Sequence, residues 1–185
     1  MITQRERDYI VWQNRAFRFY LASRLLYQKE QHAPAAFCAI QAIELLLKAT
    51  LVYWDKSFDP EAAKHRIAGL IRTVRNKVRG AKEFEVPEYF HFQQRYYSVS
   101  RYPKNRRGIL IPASFLPDLD IVFTQLLQLV PFQFNSELSR ALAGRNNADL
   151  TLLRRHNSSM RHLRKHCMVK AAAPHDPPLK PATAA

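Results

Sequence analysis

Two charged residues, Glu44 and Lys48, stand one helical turn apart inside the apolar run APAAFCAIQAIELLLKATLVYW, residues 33–54. Glu four residues before Lys is the favourable orientation for an ion pair along a helix. A charge within so apolar a helix is costly unless it is paired. The pair therefore either reaches the edge of a helical bundle, where it contributes about 0.2–0.5 kcal/mol, or lines a polar pocket between helices. His65, in Ala-Lys-His-Arg-Ile, falls in the first turns of the next helical pattern, beside its apolar stripe. It reads as a packing histidine or as a third group of that pocket.

A second stretch, RYYSVSRYPKNRRG at 95–108, interleaves tyrosines with arginines and a lysine. Aromatic rings stack on bases while guanidiniums grip phosphates, so this composition suits RNA or a nucleotide. Tyr97 and Arg101 share one helical face, and Arg101 is within reach of a buried carboxylate such as Glu44. Lys104, Arg106 and Arg107 form a basic turn for phosphate contact. The same residues could serve as a structural Arg–Glu bond and a solvated turn.

A third stretch, RRHNSSMRHLRKHC at 154–167, is basic and His-rich. His162 and His166 have helical metal-ligand spacing and Cys167 follows. No CxxC motif or carboxylate cluster joins them, so no metal and no cofactor is expected. A nucleic-acid-binding arm and a flexible basic tail both fit it. There is no Gly-rich phosphate loop, nucleophile elbow or HExxH motif.

The elements that must position these groups read as helices. Tyr9, Trp12, Ala16, Phe19, Ser23 and Leu26 recur at steps of three and four, predicting a helix over 6–31. Pro34 opens the second helix, which runs to Trp54. Asp59-Pro60-Glu61 is a helix start, with Asp as N-cap, and Ile67, Ile71, Val74 and Val78 give the third stripe. Gly80 is its expected stop. A fourth, aromatic helix is expected from Tyr89 to about Arg101. An extended or loop connection follows over 109–116, and a fifth helix runs from Pro117 to Val130, closed by Pro131. Short helices are expected over 136–143 and 148–155, and the Ala/Pro-rich end from Ala171 is expected to be disordered. The expected architecture is an all-α, five-helix antiparallel bundle over 1–132. A basic, partly disordered C-terminal tail follows over 133–185.

The 185 residues suffice for one core without staples, and the formal charge is +14. After residue 130 there are nine Lys/Arg against three Asp/Glu. Such a surface attracts polyanions through counterion release. Two distant cysteines, Cys38 and Cys167, fit a reducing compartment. The charged start lacks the apolar core of a leader, and no long uncharged apolar run is present. A cytoplasmic location with no membrane partner is expected.

The run Ala39-Ile40-Gln41-Ala42-Ile43-Glu44-Leu45-Leu46-Leu47-Lys48-Ala49 resembles the second helix of the HEPN superfamily. Lys64-His65-Arg66-Ile67-Ala68-Gly69-Leu70 is similar to the histidine motif at the third helix. Ser100-Arg101-Tyr102-Pro103 is similar to the Arg-Tyr-Pro that ends the fourth helix in nucleotidyltransferase-linked members. The resemblance covers about residues 8–130. It implies a helical bundle, often a homodimer, and two alternative activities. Some members are metal-independent ribonucleases with an Arg-x(4–6)-His motif. Others bind nucleotides or a nucleotidyltransferase partner. Residues 1–130 hold no such motif, but Arg161 and His166 match it. There His166 would be the general base on the 2′-hydroxyl, and Arg161 would stabilise charge on the phosphate. The resemblance favours a non-catalytic module binding nucleotide, RNA or a nucleotidyltransferase partner. The alternatives are the ribonuclease and a structural dimerisation adaptor.

Overall fold

The computed structural model describes residues 4–63, 65–91, 111–130, 137, 151–153, 155, 157 and 159, without the side chains of Arg5 and Glu6. Four α-helices and one 3-10 turn are described: α1 Gln4–Gln28, α2 His32–Trp54, α3 Ile67–Lys77, the 3-10 turn Glu88–His91, and α4 Phe115–Gln128. No strand occurs among the described residues. This is the expected all-helical bundle.

The centre is α2, which contacts α1, α3 and α4. Every residue from Ala42 to Val52 is buried. By length and composition α2 is also apolar enough to cross a membrane, which the sequence pattern did not suggest, yet 83% of its apolar window is buried inside the bundle. A core helix and a spanning helix share that composition. Here it is the neighbouring helices that cover it. Cys38, half-buried on α2, is a free thiol pushed up in pKa by its burial.

The chain turns from α1 into α2 without a glycine. Glu30 takes φ +60°, the Gln31 N–H donates to the Leu26 carbonyl, and the Glu30 N–H donates to that of Tyr27. These are the two bonds of a Schellman motif. The buried face of α1 is rotated from the predicted stripe. Tyr9, Gln13, Ala16, Phe17, Tyr20, Ser23 and Arg24 are buried, while Trp12, Phe19 and Leu26 flank them. Reading only the apolar residues pulled the phase away from Gln13 and Arg24.

The third helix begins later than predicted. Asp59 does accept from the N–H groups of Glu61 and Ala62, at 2.8 and 3.2 Å. That cap closes a single turn, and α3 starts only at Ile67. Glu61, Ala62, His65 and Arg66 are exposed, so an earlier start would bury no apolar face. From Ile67 the stripe is as expected, with Ile67, Ile71, Val74 and Val78 buried. The helix ends at Lys77, and Gly80 sits beyond it at φ +83°, a conformation that favours glycine.

Of the expected fourth helix, Glu88–His91 is a 3-10 turn, and 92–110 lies outside the described residues. Phe90 is fully buried against Phe115. The Tyr89 hydroxyl donates to Asp118 at 2.6 Å. The fifth predicted helix is α4, starting two residues early at Phe115. Pro117 sits in its first turn, where no N–H is required. Its predicted stripe, Leu119, Val122, Phe123, Leu126 and Val130, is buried. Pro131 and the short helix over 136–143 fall outside the described residues, apart from Glu137. Thr151–Leu153 are helical, and Leu153 is fully buried in the same core.

Candidate functional site

The middle of α2 faces three neighbours, which brings three of the predicted groups together. Glu44 is 1% exposed and Lys48 4%. The Lys48 ammonium stands 3.0 Å from Glu44 Oε1. His65, from the segment before α3, places Nδ1 2.8 Å from the same oxygen. A carboxylate oxygen only accepts, so Nδ1 carries the proton when the imidazole is neutral. That fixes the tautomer and leaves Nε2 as the remaining hydrogen-bonding atom of a ring whose side chain is 76% exposed. From α1, the Trp12 ring lies 5.6 Å from the Lys48 ammonium and 6.0 Å from the Arg15 guanidinium. The arrangement is a buried charge pair with one imidazole standing between it and solvent. It can donate and accept at a surface, with orientation set from inside the bundle.

The other predicted site residues, Tyr97, Arg101, Lys104, Arg106, Arg107, Arg161 and His166, lie outside the described residues. So do His162 and Cys167. Among the described residues no group of three or more His, Cys, Asp or Glu is placed to hold a metal ion.

Beside Trp12 a groove of about 670 Å³ opens between the start of α1, the end of α2 and the turn after it. Asp8, Asp55, Asp59 and Glu61 line it, with Arg15 and Lys56. A second groove, about 440 Å³, carries Glu85, Glu88 and Asp118. In both, acidic residues outnumber basic ones in the lining of a strongly basic chain. Hydrogen bonds from Lys77 and Ser57 hold the Asp55 carboxyl down at about 2. Lys77 Nζ is 2.5 Å from Asp55 Oδ2. A carboxyl lowered on folding adds stability above its ordinary pKa, lost as pH falls through about 2. The Lys77 end of the pair is half exposed, so solvent screens it and the energy is small. In Lys77→Ala the Asp55 titration, followed by carboxyl NMR, should rise toward the ordinary carboxylate range. No rise would detach Lys77 from Asp55.

The sequence pattern gave no sign of a second polar cluster as a unit. Arg24 of α1 and Asp120 of α4 form an ion pair with both side chains at 0% exposure. One Arg24 terminal nitrogen donates to both carboxylate oxygens. The Tyr20 hydroxyl donates to Asp120 Oδ1 at 2.6 Å and accepts from the Asn157 amide at 3.0 Å. The Tyr20 ring stacks on Phe123, with centroids 4.1 Å apart. Burial pushes the Asp120 carboxyl up, while the Arg24 guanidinium and the Tyr20 hydroxyl pull it back. Tyr20 itself is driven well above its usual range by burial and by Asp120. One signal was available for its members: Ala16-Tyr20-Arg24 and Leu116-Asp120-Phe123 each continue a core stripe at helical spacing through a charged residue.

A family model described as a HEPN domain matches residues 9–109. Neither a curated protein nor a solved structure matches the chain.

Proposed function

The chain belongs to the HEPN family, and from that premise we propose that it acts as a non-catalytic binding module for a phosphate-bearing partner, RNA or nucleotide. A nucleotidyltransferase is the protein partner the Arg-Tyr-Pro resemblance adds. The observation that carries this reading is the Glu44–Lys48–His65 cluster. A buried ion pair in a core helix is replaceable by apolar residues at little or no loss of stability. Here it orients a largely exposed imidazole. Lys104, Arg106 and Arg107 supply the phosphate contacts in this reading. The acidic grooves leave such contacts to the basic stretches of the sequence.

The test is binding of a labelled RNA oligonucleotide and of ATP across a salt series. Arg101→Ala with Arg106→Ala should weaken RNA binding and flatten the salt slope by about one for each phosphate no longer neutralised. His65→Ala should weaken it without flattening the slope further. Unchanged affinity and slope in both variants would overturn the proposal.

A metal-independent ribonuclease remains the rival, because Arg161-x4-His166 keeps the family spacing and an overlapping pair, Arg155 to His162, keeps it with six residues between. RNA cleavage in chelator that disappears in His166→Ala would establish that rival. A dimer that forms with concentration and binds no nucleic acid would establish the adaptor.

A further inference from the structure

The buried Arg24–Asp120 pair does more than join α1 to α4. An arginine has five N–H donors in a rigid fork, and Arg24 divides them between two tasks. One nitrogen binds Asp120. Nε donates to the Leu152 carbonyl at 3.2 Å, and the other terminal nitrogen donates to the Arg155 carbonyl. Those carbonyls belong to a segment 128 and 131 residues further along the chain. The same segment sends Leu153 into the core at 0% exposure and Asn157 to the Tyr20 hydroxyl. Ser159 is 7% exposed. Upstream, Glu137 forms a two-point bond with Arg18, and its N–H donates to Asn14 at 3.0 Å. Backbone carbonyls brought against a core need partners, and Arg24 supplies two of them.

We infer that the described residues of this segment, 151–153, 155, 157 and 159, belong to a strap that completes the bundle, locked in place by the Arg24–Asp120 clamp. The folded unit therefore reaches past the family match at 109 and past α4 to about Ser159. This inference stands on the clamp and is independent of the Glu44 site.

The experiment is limited trypsin digestion of the full chain, with the cut after Arg155 timed by mass spectrometry. A synthetic peptide of residues 148–163 serves as the unprotected reference. The native chain should be cut after Arg155 at least a hundredfold more slowly than the peptide. Leu153→Asp, which changes no residue of α1 or α4, should speed that cut at least tenfold while helical circular dichroism stays near the native level. Arg24→Lys, which keeps the charge and loses the fork, should do the same. Cutting of the native chain within threefold of the peptide rate would overturn the strap. An unchanged native rate in folded Leu153→Asp would overturn its seating through the core.

Discussion

Asp120→Ala should destabilise the folded chain by roughly 3–5 kcal/mol. The alanine leaves the Arg24 guanidinium charged, at 0% exposure and without its carboxylate. It also removes the acceptor of the Tyr20 hydroxyl. The two carbonyls of the strap do not replace an anion. Arg24→Met with Asp120→Leu removes both charges together, and most of the loss should be recovered. That double variant should still release the strap, because methionine donates nothing to the carbonyls of residues 152 and 155. Urea unfolding of the three proteins gives the stabilities, and the trypsin cut after Arg155 gives the strap. A loss below about 1 kcal/mol in Asp120→Ala would mean that water reaches the pair, as at an exposed ion pair.

Why the clamp was not legible in the sequence is a matter of distance and sign. Arg24 and Asp120 are 96 residues apart, and neither local spacing nor composition connects them. Each alone looks like a solvent-facing charge. The same assumption turned the predicted face of α1 away from Gln13 and Arg24. Glu44 and Lys48 were legible because their pairing is local, one turn along one helix. His65 reaches the same oxygen from 21 residues away, and the sequence left it open between a packing histidine and a third group of that pocket. The stripes of α3 and α4 were legible because burial alone explains them. The start of α3 was not, since the Asp59 cap is genuine but has no apolar face behind it to propagate a helix. Caps say where a turn can begin, and packing decides whether it continues.

Glu44→Ala should cost roughly 3–5 kcal/mol, again because it strands a buried cation, this time Lys48. The reverse change should cost less. In Lys48→Met the Glu44 carboxylate keeps its hydrogen bond to His65. Among the described residues the two partners of the ion pair are thus unequal: one carboxylate oxygen meets both Lys48 and His65, and Lys48 meets Glu44 together with the face of Trp12. His65→Ala should leave stability within about 0.5 kcal/mol, as for an exposed position. That ordering separates scaffold from site. If Glu44→Ala and His65→Ala weaken RNA or nucleotide binding equally while only the first unfolds easily, the carboxylate acts on the ligand through the imidazole. If Lys48→Met costs as much as Glu44→Ala, His65 does not compensate the carboxylate, and the cluster reduces to a structural ion pair inside α2.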